Sequence, residues 1–154
     1  MEATILYGNG LNLISQPQKT WTKLLKELFD KYGNDLIPDH KPYPMVYEEL
    51  FLRNELLKLE DEKEVKSEVV KFVKQNKINE FYKMLSEFGL QNYLTTNYDF
   101  TLEEQFKKDG YAWKYNGKET KYSIFTYMEI EGTNTKIWHI HGNAIKENTI
   151  QLGF

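Results

Sequence analysis

The chain has 154 residues, which suits a single domain, and its 40% hydrophobic content is enough to bury a substantial core. Its net charge of −3 argues against a basic surface for nucleic acids, and its single arginine, Arg53, excludes arginine clusters that bind phosphates. The absence of cysteine excludes disulfides and a cysteine-ligated zinc. We find no signal peptide and no apolar run long enough to span a bilayer, and therefore expect a cytoplasmic protein with neither nucleic acid nor membrane as a partner.

The first predicted element is a strand at residues 3–7, which is mostly apolar with little alternation, as in a buried parallel sheet. A turn from Gly8 to Gly10 ends the strand and leads into a helix that begins near Leu11. Glycine tolerates a positive φ and lets a ligand approach the backbone, and a helix start attracts an anion such as a pyrophosphate. The dinucleotide-binding pattern Gly-x-Gly-x-x-Gly is incomplete because its third position is Leu13, so a turn without a ligand is an equally open interpretation.

Helical periodicity dominates residues 16–90, which we interpret as a helical insertion between the first two strands of the sheet. The clearest apolar stripe runs from Trp21 to Tyr32 and follows a candidate capping residue, Thr20. Pro44 suits the first turn of the next helix. A shorter stripe precedes the second strand and consists of Phe81, Leu85 and Phe88.

The second strand of the sheet is predicted at residues 90–96, and it runs into the polar segment that ends at Asp99. A helix follows at residues 100–107. Asp99 therefore lies where a carboxylate favours the helix dipole, and a capping role alone would explain it.

Further strands are predicted at 111–115, 122–130 and 136–141, the last two as a hairpin. The apolar end of the chain, from Ile150 to Phe154, is also strand-like. A strand at this position would have an unpaired sheet edge near Leu152.

Three of the predicted strands end in Gly, Asn, Asp or His residues, namely before Gly8, at Thr96 and at His141. Open α/β sheets bind ligands at the carboxyl ends of their strands. We therefore predict an α/β fold with a mainly parallel sheet, in which these three strand ends form one composite site.

The same segments resemble motifs of the sirtuins. The Gly-Asn-Gly-Leu-Asn run at 8–12 resembles the sirtuin Gly-Ala-Gly-x-Ser loop, and the Thr-Thr-Asn-Tyr-Asp run at 95–99 resembles the sirtuin Thr-x-Asn-x-Asp segment. His141 and Gly142 resemble the sirtuin His-Gly that carries the catalytic histidine. The order and rough spacing are similar to those of sirtuin-like domains of bacterial anti-phage proteins, and the resemblance covers nearly the whole of residues 1–154.

The resemblance implies a Rossmann-like domain that binds NAD as its substrate. Because sirtuin-like domains continue past the His-Gly with strands on the adenosine side, it also implies that residues 1–154 are the N-terminal part of a longer, truncated domain. The glycine loop would lie on the pyrophosphate side, with Asn12 in place of the sirtuin serine, and the second segment would face the nicotinamide ribose and amide. The residues that it assigns to NAD binding are Gly8, Gly10, Asn12, Thr96, Asn97, Asp99 and Gly142.

Two residues carry the chemistry that the resemblance implies. The bond between nicotinamide and ribose breaks through an oxocarbenium-like state, and Asn97 can position a ribose hydroxyl or a water without adding charge. His141 would take a proton from the ribose hydroxyls or from water, because a histidine side chain can accept protons near neutral pH. Asn97 and His141 are therefore the predicted catalytic residues.

Two departures from the sirtuin pattern favour NAD hydrolysis over deacylation. The chain has no cysteines for the zinc module of protein-deacylating sirtuins, and it lacks the Pro-Asp-Phe-Arg segment after their glycine loop. The first hypothesis is thus an NAD hydrolase, acting as effector of an anti-phage protein that forms homo-oligomers and answers a phage trigger through further domains. The alternative is a non-catalytic module that binds NAD or ADP-ribose and serves in sensing or oligomerisation. An NAD-dependent deacylase is a more distant alternative.

A metal site is the rival interpretation of the histidines. His139 and His141 lie two residues apart and would face the same side of a strand. With only His40 left, a third ligand would have to be a carboxylate such as Asp99, and we expect no metal. We interpret His139 as a half-buried structural residue with a hydrogen bond, and His40 as a loop residue without a role.

Overall fold

The computed structural model describes residues 3–32, 41–53, 62–116 and 126–152. Within these ranges the chain forms five β-strands and six α-helices, so the predicted α/β class is confirmed. The strands are β1 (Thr4–Tyr7), β2 (Asn92–Thr95), β3 (Trp113–Asn116), β4 (Tyr127–Ile130) and β5 (Lys136–His139). The helices are α1 (Gly10–Ser15), α2 (Trp21–Tyr32), α3 (Tyr43–Arg53), α4 (Glu62–Val73), α5 (Glu80–Glu87) and α6 (Thr101–Lys108), and a 3₁₀ turn follows at Glu147–Thr149.

The sheet has the strand order β1-β2-β5-β4-β3. β1 pairs in parallel with β2, and β2 pairs in parallel with β5. Their register places Tyr7 beside Thr95 and Thr95 beside His139, so the three strands end at the same level. The loops that follow these strands therefore leave the same edge of the sheet.

The other half of the sheet is antiparallel, which corrects the prediction of a mainly parallel sheet. β4 pairs with β5 as the predicted hairpin, and β3 pairs with β4 on its outer side. The hairpin is short because only residues 131–135 join β4 to β5. A connection of that length can join antiparallel neighbours but is too short for a parallel crossover.

Two apolar clusters form the core. The first lies among α2, α3 and α4 and includes Tyr98, Ala144 and Ile150 from the segments that follow β2 and β5. The second joins the sheet to α5 and α6 and includes Tyr82, Tyr93, Leu102 and Ile137. The helices inserted between β1 and β2 thus pack against the segments that leave the strand ends, where the composite site was predicted.

The local helix signals were largely right. α2 begins and ends where its apolar stripe predicted, and Thr20 Oγ1 accepts a hydrogen bond of 3.0 Å from the Lys23 amide as its cap. Pro44 lies in the first turn of α3. Phe88, however, is 56% exposed, because the buried face of α5 uses Tyr82 and Leu85 instead.

The predicted strand at the end of the chain is wrong for its described part. Ile150 is buried in the first core cluster and Leu152 packs against that cluster, rather than lying on a sheet edge. The sheet edges are β1 and β3. None of the described helices combines the length and the apolar character needed to cross a bilayer.

Candidate functional site

The three predicted segments meet at the edge where β1, β2 and β5 end. The Thr96 amide donates to the Tyr7 carbonyl at 3.3 Å, and the Ile140 amide donates to the Thr95 carbonyl at 3.0 Å. These bonds extend the parallel pairing one residue beyond the strands. The segments after Tyr7, Thr95 and His139 are consequently neighbours in space, although up to 87 residues separate side chains that touch here.

In the glycine loop, space restricts position 8 to a small residue, whereas neither space nor backbone conformation requires glycine at position 10. Neither Gly8 nor Gly10 has a positive φ. A Cβ on Gly8 would lie 3.0 Å from Thr96 Oγ1, whereas a Cβ on Gly10 would meet nothing within 4 Å. The amides of Leu11 and Asn12 donate to the carbonyls of Gly8 and Asn9, so this loop offers an anion fewer free donors than the sequence indicated.

Asn12 and Asp99 form the centre of a buried polar network between the first and second segments. Asn12 Nδ2 donates to Asp99 Oδ2 at 3.2 Å, and Tyr82 donates its hydroxyl proton to Asn12 Oδ1 at 2.7 Å. Asp99 Oδ2 also accepts from Asn76 Nδ2, and Asp99 Oδ1 accepts from the amide and hydroxyl of Thr101. Asp99 therefore does cap α6, and its carboxylate and the Asn12 carboxamide are held by protein groups.

Asn97 differs from these neighbours because its carboxamide has no hydrogen-bond partner. The residue is 2% exposed, and both Oδ1 and Nδ2 are buried without a partner. Its backbone is held on both sides, since its amide donates to Thr95 Oγ1 at 3.0 Å and its carbonyl lies 2.9 Å from His139 Nδ1. Burial raises the pKa of the Tyr82 hydroxyl, whereas the Asn97 carboxamide lowers it, because it lies close to that hydroxyl without making a hydrogen bond of normal geometry to it.

His139 is fully buried, which corrects the prediction of a half-buried residue with one hydrogen bond. Its Nδ1 faces the Asn97 carbonyl, and its Nε2 lies 2.8 Å from Glu103 Oε1 on α6. Burial lowers the pKa of His139, but the Glu103 carboxylate and the other acceptors raise it more, so that the net shift is upward. The prediction missed Glu103, which is also fully buried.

His141 lies beyond the end of β5, on the segment that the turn at Gly142 folds back. Its side chain is exposed. Gly142 has a φ of +87°, and a Cβ there would lie 2.0 Å from the Thr149 carbonyl oxygen. The His141 carbonyl accepts from the Gln151 amide at 2.9 Å, which ties the returning segment to the strand end. The positive φ and the close packing together account for glycine at position 142 without a ligand.

A pocket of about 300 Å³ opens beside His141. It lies between α2, α3 and the segments after β2 and β5, and its lining is mainly apolar and aromatic. Of the predicted site residues, Thr96 and His141 line this pocket. The other lining residues include Trp21, Tyr43, Tyr47 and Tyr98. The helical insertion thus supplies most of the aromatic rings that face the pocket.

Glu103, Tyr82 and Asn76 are site residues that the sequence interpretation missed. Glu103 follows Asp99 by four residues, a spacing that puts both on one side of the α6 start, but a glutamate in a first helical turn is usually solvated. Tyr82 lies three residues before Leu85, and this spacing could have placed it on the buried face of α5. Asn76 carried no signal, because nothing in its local sequence distinguishes it from a loop residue.

His139 and His141 are the two histidines of the described residues, and a metal site is their rival interpretation. Within the described ranges, no group of three or more His, Asp and Glu side chains is gathered in a way that could hold a metal ion. Both ring nitrogens of His139 face protein acceptors, and His40 lies outside the described residues.

Comparison with protein-family models and with curated proteins gave no match. A functional proposal for this chain therefore depends on the resemblance of its three segments to sirtuin motifs and on the geometry of the strand ends.

Proposed function

We propose that this domain hydrolyses NAD+ at the bond between nicotinamide and ribose. The observation that carries the proposal is the Asn97 carboxamide, which is buried with both polar atoms unpartnered beside three adjacent strand ends. A buried polar group without a partner costs stability, so its presence in a folded protein calls for a reason such as a ligand.

In the proposed reaction, Asn97 orients a ribose hydroxyl or the attacking water as positive charge develops on the ribose. The side-chain carboxamide of Asn97 carries no charge, and it can donate through Nδ2 and accept through Oδ1. His141, at the exposed mouth of the pocket, accepts the proton. Water adds to the ribose carbon, the bond to nicotinamide breaks with its electron pair leaving on nicotinamide, and the products are nicotinamide, ADP-ribose and a proton.

The pocket beside His141 supports this proposal. Its aromatic and apolar lining suits a planar ring such as nicotinamide, and polar groups stand on the side of the strand ends. In the same proposal, the parallel half of the sheet is the Rossmann-like part of the domain. The biological role that follows is NAD+ depletion by an anti-phage protein that forms homo-oligomers.

The alternative function is binding of NAD+ or ADP-ribose without cleavage. It is favoured by the network around Asn12 and Asp99, where protein groups already hold the side chains that the resemblance assigns to the ligand. Fewer protein groups are then free to bind the ribose. A ligand that is bound but not aligned for the reaction is not cleaved.

Nicotinamide release from NAD+ by the purified protein is the direct test, combined with calorimetric binding of NAD+ and ADP-ribose. We expect release by the wild type and its loss in Asn97→Ala and His141→Ala. Lys136→Ala is the matched control because Lys136 lies at the opposite end of β5, and it should keep the wild-type rate.

The remaining outcomes separate the candidates. Binding of NAD+ or ADP-ribose with no release would replace the hydrolase by the binding module. Release that requires an acyl-lysine peptide would indicate deacylation. Neither binding nor release would overturn the proposed function.

A further inference from the structure

His139 and Glu103 form a buried pair beside Asn97. Both side chains are fully buried, and they approach each other at 2.8 Å from β5 and α6 respectively. The Phe100 ring packs against the His139 ring, with 5.0 Å between the two ring centroids, and it also stacks on Trp113. The pair is therefore shielded from water, and its geometry is set by three different parts of the fold.

The hydrogen-bond partners decide how many protons the pair holds. His139 Nδ1 faces the Asn97 carbonyl, which can only accept, so Nδ1 carries a proton. His139 Nε2 faces a carboxylate oxygen, which also accepts unless it is protonated. One further proton must therefore lie between Nε2 and Glu103. Burial lowers the pKa of His139, but the neighbouring Glu103 carboxylate raises it more.

The pair thereby fixes the peptide group that follows Asn97. The Asn97 carbonyl accepts a hydrogen bond from His139 Nδ1, and the Asn97 amide, which belongs to the preceding peptide group, donates to Thr95 Oγ1. The backbone of Asn97 is thus held on both sides, yet its carboxamide is left without a partner. A rigid backbone that presents an unused polar side chain is the arrangement that a binding or catalytic group requires.

We propose that His139 and Glu103 are positioning residues, which fix the peptide of Asn97 and so set the orientation of its carboxamide. The geometric part of this inference is independent of the ligand, whereas its effect on NAD+ hydrolysis rests on the proposed function. A carboxylate that holds the tautomer and direction of a histidine is a known device of catalytic sites, and here the histidine in turn holds an asparagine.

Two variants of the full chain test the inference. Glu103→Gln keeps the volume and one hydrogen bond but removes the charge. The double variant Glu103→Met with His139→Phe replaces the pair by apolar groups of similar volume, which a core tolerates better than the loss of one partner. Thr135→Val is the control, because it removes a buried hydrogen bond to the Leu90 carbonyl at the opposite end of β5.

Two measurements are made on each variant. The first is the ¹H–¹⁵N spectrum, which reports the ring nitrogens of His139 and the backbone and side-chain amides of Asn97. The second is the pair of kcat and KM for nicotinamide release. We expect the Asn97 signals to shift in both test variants but not in Thr135→Val, and kcat to fall by about 10–100-fold in the double variant with KM little changed.

The outcomes distinguish this inference from the proposed function. Unmoved Asn97 signals in the folded variants would overturn it, as would an equal fall of kcat in Thr135→Val. If the wild type releases no nicotinamide, the proposed function fails, and the Asn97 signals alone then decide whether His139 and Glu103 position that residue.

Discussion

Two sets of polar side chains stand at the strand ends, and they differ in their partners. In the closed set, Asn12 and Asp99, both polar ends of each side chain are bound to other protein groups. In the open set, Asn97 has a buried carboxamide without a partner, and His141 is exposed beside a pocket. The difference separates residues whose side chains join neighbouring segments from residues whose side chains do not, although both sets belong to the same sequence motifs.

The glycines at the strand ends also differ in their surroundings, and a substitution at Gly142 has the largest expected effect on stability. Gly142→Ala forces a Cβ to within 2.0 Å of the Thr149 carbonyl oxygen at a positive φ, so the returning segment must move. We expect a loss of about 3 kcal/mol or more in the free energy of unfolding, measured by urea denaturation.

Gly10→Ala is the matched variant, since a Cβ there meets nothing and α1 begins at this residue. We expect its stability to equal or slightly exceed that of the wild type. Equal destabilisation by the two substitutions would contradict the distinction between a packed and an open glycine.

Asp99→Ala tests the closed set. It removes an acceptor of Asn12, Asn76 and Thr101, although Asn12 Nδ2 keeps a second acceptor in Asn9 Oδ1. We expect a loss of about 2–4 kcal/mol in the free energy of unfolding, again by urea denaturation. A loss below about 0.5 kcal/mol, the range of ordinary surface changes, would show that the network is not structural.

Periodicity in the sequence could predict the strands and helices but not this division. The strand ends at Tyr7, Thr95 and near His139 follow from short apolar runs that stop at polar residues. Asn12 and Asp99 are 87 residues apart in the chain, so their contact depends on the tertiary structure. The absence of a partner for the Asn97 carboxamide depends on the orientation of the Tyr82 hydroxyl, which donates to Asn12. Local sequence carries none of this information, because it is fixed by the strand order and by how α5 and α6 pack.

Glu103 shows the same limit within a single helix. Its position in the first turn of α6 is equally suited to a solvated glutamate and to a buried one. Only the placement of β5 next to β2 brings His139 against it, and the sequence predicted the β4–β5 hairpin without saying beside which strand it would lie.

The pH dependence of stability tests the pair that lies between the two sets. Because the pKa of His139 is raised in the folded state, the pair stabilises the fold fully below the ordinary histidine pKa of about 6.5. That stabilisation is lost as the pH rises through the higher, folded-state pKa, since the native state then releases the proton that it had retained. We expect the free energy of unfolding of the wild type to fall relative to Glu103→Gln over this range. Parallel pH profiles of the two proteins would contradict an ionised His139–Glu103 pair.

Among the substitutions of these polar side chains, Asn97→Ala has the smallest expected effect on stability and is therefore the sharpest test of the open set. The substitution deletes two buried polar atoms that have no partners, which relieves a desolvation cost of about 1–3 kcal/mol per group, and it leaves a small cavity, which costs a similar amount. The backbone contacts to Thr95 and His139 do not involve the deleted atoms. We therefore expect the free energy of unfolding to change by less than about 1 kcal/mol while nicotinamide release is lost. A loss as large as that of Asp99→Ala would mean that the carboxamide is part of the closed network, and the reason for assigning it to a ligand would disappear.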